Sequence, residues 1–358
     1  MARIVTAEPG RATRVKTRKL VRPQQFDHIA GMAMMDQAIK AFLGQIKMPE
    51  VPVADFSKLD WVQSTNRLRQ SFYRASRTME GDAPELQDVS MLPVDGADGP
   101  LKARLYPPLG AGIAPGPGIV FFHGGGFVLG DLDSHDMICR RLAAASRCRL
   151  LSVDYRLAPE HRFPAAHDDA ESAWRWVAQR AEHFMMDPER IAVAGDSAGG
   201  NLAAFVCQQM NRTGGPQPAF QLLCYPLVQF ADIRAKRMPF QEGGFFISPN
   251  LFDYFRDSYI AHTTDRMDPR VSPLFAEDAD FRGLPPAHII LCGWDPLKDE
   301  GRTYSDKLAS CGVPVTIREH PGMVHGFMNL TALSLPIRDA IRDAGEVVGR
   351  ALGTIEIP

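Results

Sequence analysis

The segment Gly195–Gly199 (GDSAG) most constrains the fold, because a serine flanked by glycines in this pattern marks an abrupt turn between a strand and a helix. The apolar run Ile191–Ala194 before it predicts a short buried strand, and a helical pattern follows over residues 198–211. The glycines allow close approach of strand and helix, while the serine takes a strained backbone conformation. This order predicts a nucleophile elbow that presents Ser197 at a helix N-terminus, where backbone N–H groups favour negative charge.

A serine hydroxyl is a weak nucleophile without a base, and the oxyanion formed after its attack needs donors already in place. The loop His123–Phe127 (HGGGF) follows the apolar strand pattern Gly118–Phe122. Its consecutive glycines weaken regular structure, but they permit a tight turn whose backbone N–H groups face a cleft. A flexible glycine loop is the alternative interpretation. The predicted oxyanion-hole donors are the N–H groups of Gly125, Gly126, Ala198 and, as a further contributor, Gly124.

Three motifs in a fixed order make the chain similar to a known family. They are HGGGF at 123–127, DYRLAPEHRFPA at 154–165 and GDSAGG at 195–200. With them the chain resembles the hormone-sensitive-lipase-like α/β-hydrolases, the bacterial family IV carboxylesterases, over roughly residues 85–350. The resemblance implies an α/β-hydrolase fold, in which helices flank a mostly parallel central sheet and a helical cap covers the site.

The acid of a catalytic triad is expected downstream of Ser197, because α/β-hydrolases run in the order serine, acid, histidine. The apolar run 287–293 predicts a buried strand, and Asp295 follows its carboxyl end, where open α/β sheets place their sites. Asp295 also matches the acid position of the resembled family. Asp299 and Glu300 are rivals, but they fall in the first turn of a predicted helix, where carboxylates stabilise the helix dipole.

The base is predicted to be His325. It lies in the loop 322–327, after the strand predicted over 314–319, and it matches the His-Gly-Phe sequence that carries the base in the resembled family. His320 is the nearest competitor, but it lies closer to the end of the strand. His123 belongs to the oxyanion loop and is predicted to be a scaffold residue.

The predicted organisation separates a catalytic domain from covering elements. Its segments are an N-terminal tail with cap helices at 1–80, the α/β-hydrolase catalytic domain at 81–228 and 268–358, and a cap insertion at 229–267. The cap helices are expected over 24–55 and 61–78. They could cover the active site or simply pack on the core, and the aromatic residues of the insertion could line a substrate pocket or join the core.

Composition excludes several classes of function. A net charge of −2 gives no sign of nucleic-acid binding, and no apolar run reaches the roughly 18 residues of a membrane span. The first 23 residues are basic without an apolar core, so we expect no secretory signal. The six cysteines form no C-x-x-C pair, which predicts reduced thiols in a cytoplasm. Since no metal-binding spacing occurs either, we expect neither a metal nor an organic cofactor.

Together the residues and the resemblance predict a serine carboxylesterase that acts on short- to medium-chain acyl esters through an acyl-enzyme. The expected partner is a small-molecule ester, and the resembled family implies a homodimer. A lipase, lactonase or amidase would use the same triad, so these alternatives stay open. A non-catalytic small-molecule receptor of this fold is a further alternative, although such a protein would be expected to lose part of the machinery.

Overall fold

The structure is a computed structural model that describes residues 35–45, 61–231 and 247–356. Three predictions therefore lie outside the described residues in whole or in part. They are the basic tail at 1–23, most of the helix over 24–55, and the part of the cap insertion between 232 and 246.

An eight-stranded sheet forms the centre of the described chain. In chain order its strands are β1 (Ser90–Gly96), β2 (Gly99–Tyr106), β3 (Gly116–Phe122), β4 (Arg149–Asp154), β5 (Met186–Asp196), β6 (Phe220–Cys224), β7 (Ala287–Trp294) and β8 (Val315–Val324). The spatial order is β1-β2-β4-β3-β5-β6-β7-β8. The pairs β1–β2 and β2–β4 are antiparallel, and the other neighbours are parallel. This mostly parallel sheet confirms the predicted α/β-hydrolase fold.

Helices precede, connect and follow the strands of the sheet. They are α1 (Gln37–Gln45), α2 (Trp61–Thr78), α3 (Asp136–Ser146), α4 (Ala165–Gln179), α5 (Ala198–Thr213), α6 (Pro249–Tyr259), α7 (Asp278–Phe281), α8 (Lys298–Ser310) and α9 (Leu335–Ala351). Short 3₁₀ turns occur at Ala181–Phe184, Thr263–Met267, Pro273–Phe275 and Phe327–Asn329. The helix predicted over 61–78 is confirmed at both ends. The domain boundaries drawn from the sequence stay predictions.

The central strands are apolar along their length because helices cover both faces of the sheet. Alternate residues of β3 point to opposite faces. Val120 and Phe122 belong to one buried cluster, which also holds Leu202 of α5. Ile119 and Phe121 belong to the other buried cluster, which also contains apolar residues of α3 and α9. The core is therefore two layers with the sheet between them.

One strand ends earlier than the sequence predicts. The apolar run 221–228 predicts a strand to Val228, but β6 ends at Cys224. The reason is local, since Tyr225 has φ 37° and leaves the extended conformation. The following backbone then turns towards the elbow, where the Leu227 N–H donates to the Ser197 carbonyl over 3.1 Å.

Candidate active site

The predicted elbow lies between β5 and α5. Ser197 has φ 53° and ψ −115°, a strained conformation for a residue with a side chain. A Cβ atom on Gly199 would lie 1.9 Å from the Phe122 carbonyl oxygen, and one on Gly195 would lie 2.2 Å from the Gly199 carbonyl oxygen. Only glycines therefore permit strand and helix to approach this closely, and their approach forces the sharp turn at the serine.

The structure brings Ser197, His325 and Asp295 together. The Nε2 atom of His325 lies 2.8 Å from the Ser197 Oγ atom, and its Nδ1 atom lies 2.8 Å from the Asp295 Oδ2 atom. The other carboxylate oxygen of Asp295 accepts the Leu297 N–H over 2.7 Å. The three residues meet because β5, β7 and β8 are parallel, so their carboxyl ends share one edge of the sheet.

The rival residues lie elsewhere in the fold, and Asp299 is exposed on α8. Glu300 lies in the first turn of α8, and its carboxylate accepts the Val228 N–H over 3.1 Å. His320 lies inside β8, where burial lowers its pKa. His123 stacks on Tyr155 with ring centroids 4.4 Å apart, and burial lowers its pKa to about 4. The contacts of Glu300 and His123, and the position of His320 within a strand, place these three residues in the scaffold.

Two glycines of the oxyanion loop occupy backbone conformations that disfavour other residues. Gly125 has φ 119° and Gly126 has φ 63°. A Cβ atom on Gly125 would lie 2.1 Å from the Leu129 carbonyl oxygen. Within the described residues, the N–H groups of Gly125, Gly126 and Ala198 make no hydrogen bond. These N–H groups are therefore free to receive an oxyanion beside Ser197.

The inclusion of Gly124 among the donors is wrong. Its N–H donates to the Asp196 Oδ1 atom over 2.8 Å, and a peptide nitrogen carries a single hydrogen. A Cβ atom at this position would also lie 2.5 Å from the Asp196 Oδ2 atom. Gly124 therefore fastens the loop to the residue before the nucleophile, and its glycine is required for that close approach.

Sequence reasoning missed the buried pair Asp196 and His135. The His135 Nε2 atom lies 3.5 Å from the Asp196 Oδ1 atom. Burial by itself would raise the pKa of Asp196, but the electrostatic interaction with the neighbouring His135 and the hydrogen bond from the Gly124 N–H outweigh burial and lower that pKa. The available signal was a carboxylate at the end of an apolar strand, where a charge needs a partner.

A cavity of about 300 Å³ opens over Ser197 and His325. Its walls are mostly apolar and come from α1, α2 and α6 as well as from the loops. The wall residues from these helices include Phe42, Leu68, Phe72, Leu251 and Phe255. The two interpretations of the aromatic insertion both apply in part, because Phe255 lines the cavity whereas Tyr254 and Tyr259 are buried in the core.

Two kinds of feature are absent from the described residues. In the ranges 35–45, 61–231 and 247–356, no helix combines the length and apolarity needed to cross a membrane. The same ranges contain no cluster of three or more histidine, cysteine or acidic side chains placed to hold a metal ion.

Comparison with known proteins agrees with this geometry. Residues 119–329 match the family described as the alpha/beta hydrolase fold. The carboxylic ester hydrolase LipN of Mycobacterium tuberculosis is 43% identical over 252 residues, which are 69% of this chain and 66% of LipN. An ethyl acetate hydrolase of Pseudomonas putida is 36% identical over 268 residues, which are 74% of this chain and 83% of that protein.

A solved structure is similar over nearly the whole described chain. It is an ester hydrolase from the metagenome of Lake Arreo, in complex with a derivative of bipyridine phosphonate. The TM-score is 0.80 at 38% identity, and the match covers 89% of this chain and 99% of that one. Fold and site thus define an α/β-hydrolase. Within that superfamily, the chain belongs to the hormone-sensitive-lipase-like, bacterial family IV carboxylic ester hydrolases, as the motifs predicted.

Proposed function

We propose that this protein is a serine carboxylesterase that hydrolyses short- to medium-chain acyl esters through an acyl-enzyme intermediate. One observation carries the proposal. The contacts from Ser197 to His325 and from His325 to Asp295 are each 2.8 Å long, and the serine faces the cavity.

In the proposed mechanism, the Ser197 oxygen attacks the ester carbonyl carbon while the His325 Nε2 atom takes the hydroxyl proton. Asp295 accepts the hydrogen bond from Nδ1, which fixes the imidazole tautomer and stabilises the imidazolium. The N–H groups of the oxyanion loop and of Ala198 stabilise the charge on the carbonyl oxygen, and each such donor is worth about 3–4 kcal/mol. His325 then protonates the departing alcohol, and water repeats the cycle to release the acid.

The cavity supports the proposed substrate class. Apolar walls favour uncharged acyl and alcohol groups, and the polar atoms around Ser197 fix the ester itself. The name of the relative from Pseudomonas putida indicates that it acts on a small ester, ethyl acetate.

The proposal is tested with p-nitrophenyl esters from acetate to palmitate, on the wild-type chain and on Ser197→Ala. We expect kcat/KM to be highest for short and medium chains, and the variant to lose about 10³-fold or more. Mass spectrometry should find an organophosphonate attached to Ser197. An intact fold with most of the activity left in Ser197→Ala would reject the mechanism.

The same assay separates the alternatives. A maximum at the longest chains indicates a lipase, and faster turnover of a lactone or an anilide indicates a lactonase or an amidase. If the phosphonate does not label the serine and no ester is hydrolysed, a small-molecule receptor becomes the better proposal. A homodimer and a cytoplasmic location stay predictions, which size-exclusion chromatography and cell fractionation would test.

A further inference from the structure

The backbone directly after the oxyanion loop is strained and tightly connected to it. Phe127 has φ 64°, which is unfavourable for a residue with a large side chain. The N–H groups of Val128 and Leu129 both donate to the Gly125 carbonyl, over 3.1 and 2.8 Å. The Gly125 carbonyl shares its peptide plane with the Gly126 N–H, which is a proposed oxyanion donor, and the Val128 carbonyl shares its plane with the Leu129 N–H. A shift of the Val128 carbonyl would therefore turn the Gly126 N–H.

A side chain of the cap helix α2 holds this backbone in place. The Arg69 Nε–H donates to the Val128 carbonyl over 2.8 Å, and one Nη2–H donates to the Ala158 carbonyl over 2.9 Å. The Ala158 N–H in turn donates to the Phe127 carbonyl over 2.8 Å. One guanidinium thus bridges the backbone at Val128, directly after the oxyanion loop, and the backbone at Ala158. Its planar fork fixes the angle between these two segments.

Glu160 orients that guanidinium. Its two carboxylate oxygens accept one hydrogen bond each from the two terminal nitrogens of Arg69, both over 2.8 Å. The side chains are 26% and 38% exposed, so the ion pair itself adds little stability. The geometry of the pair is bidentate, however, and a bidentate pair fixes direction as well as distance. Glu160 therefore holds the Arg69 guanidinium in the orientation that reaches the Val128 carbonyl.

Helix α6 contacts the same loop. A Cβ atom on Gly126 would lie 2.4 Å from the Phe255 ring, and the Tyr259 ring stacks on Phe127 with centroids 4.3 Å apart. The hydroxyls of Thr65 and Tyr254 are 2.5 Å apart, which connects α2 to α6. Helix α6 therefore contacts the oxyanion loop itself, while α2 holds the backbone directly after it.

We propose that Arg69 is a positioning residue of the oxyanion hole, held by Glu160 and acting on the Gly126 N–H through the Val128 carbonyl. The inference rests on the proposed esterase function and deepens it. It assigns helix α2 a part in the chemical step, in addition to its place in the cavity wall. Loss of Arg69 should therefore weaken binding of the tetrahedral intermediate more than binding of the ester.

The test compares Arg69→Met, Arg69→Lys and Glu160→Gln with the control Arg74→Met. Arg74 lies on the same helix, and its guanidinium hydrogen-bonds to Gln70 of that helix. For each variant, kcat and KM are measured with p-nitrophenyl acetate and butyrate. The inhibition constant of a phenylboronic acid, which forms a tetrahedral adduct with the nucleophilic serine, is measured beside them, and a thermal melt reports folding.

We expect Arg69→Met to lower kcat about 10- to 100-fold on both esters, with KM changing less than about threefold, because oxyanion donors act mainly on the transition state. The boronic acid should bind more weakly by a similar factor. Arg69→Lys should recover only part of the rate, since an ammonium cannot reproduce the fork. Glu160→Gln should lower kcat about 2- to 5-fold, and Arg74→Met should match the wild type.

Wild-type kcat in Arg69→Met, a change in KM alone, or an equal loss in Arg74→Met would overturn the inference. If Arg69→Met does not fold, then Arg69→Lys and Glu160→Gln decide by the same two readouts. A wild-type chain that hydrolyses neither ester overturns the proposed function and this inference together. Hydrolysis that depends on Ser197 but not on Arg69 overturns the inference alone.

Discussion

The two halves of the candidate site are held by different parts of the molecule. Ser197, Asp295 and His325 follow the carboxyl ends of three parallel strands, so the sheet fixes their positions. The oxyanion loop is held on one side by Asp196, at the end of β5, and on the other side by the cap, through Arg69. The difference shows that the nucleophile and its base depend on the core, whereas the donors depend on both the core and the cap.

The largest effect should come from the half fixed by the sheet. We expect His325→Ala to lower kcat by about 10⁴-fold or more, because His325 takes the serine proton in the proposed mechanism. Hydrolysis of p-nitrophenyl acetate measures the loss, and a thermal melt should show an intact fold. His320→Ala is the matched control in β8 and should retain most of the activity. Equal losses in both variants would mean that His325 is not the base.

Substitution of its glycines should distort the oxyanion loop, which is the other half of the site. Gly126→Ala places a methyl group 2.4 Å from the Phe255 ring at φ 63°, so we expect kcat to fall about 10²-fold. Phe255→Ala in the same chain should recover part of the rate, because the ring is the obstacle. Gly125→Ala meets the Leu129 carbonyl instead, and Phe255→Ala should not rescue it. Steady-state kinetics of the single and double variants test the contrast.

Acid should destabilise both regions through buried neutral histidines. Burial lowers the pKa of His123 and His167, near the loop, and of His288, in β7, to about 4 in each case. These values lie below the unfolded value of about 6.5, so between these two pH values the unfolded state binds more protons. The free energy of unfolding is therefore at its full value above that range. It decreases as the pH falls through the range, by up to about 3 kcal/mol for each histidine.

Urea unfolding at pH 7 and pH 4.5 measures this loss. His288→Val, a β-branched replacement within a strand, should reduce the pH dependence of the unfolding free energy. His183→Gln replaces an exposed histidine and should leave that dependence unchanged. A pH dependence unaffected by His288→Val would argue that this histidine is not buried in its neutral form.

A smaller effect on kcat is expected where the two halves meet. Asp196→Asn keeps an oxygen that can accept the Gly124 N–H, but it removes the charge that pairs with His135. We expect kcat to fall about 10-fold and KM to change little. Asp196→Ala removes the acceptor as well and should lose more activity. Kinetics on p-nitrophenyl butyrate distinguish the two, and identical losses would contradict a role for the remaining oxygen.

The sequence allows the triad half of the site to be predicted because each residue follows a readable strand. Ser197 and Asp295 come just after apolar runs, and in a parallel sheet such positions converge. The contacts that hold the oxyanion loop could not be predicted from the sequence. Arg69 lies in a helix whose pattern shows only that it is amphipathic, and its contact with Val128 depends on how that helix packs. The misassignment of Gly124 has the same origin, since only the folded geometry places Asp196 under its N–H.

The hydrogen bond between Thr65 and Tyr254 has a consequence for protein engineering. Grafting α2 from another esterase, in order to admit larger substrates, would separate this pair and discard Arg69 as well. We expect such a chimaera to accept the new ester and turn it over slowly. Transplanting α2 and α6 as one unit, with the arginine retained, is the design that changes substrate range while preserving turnover.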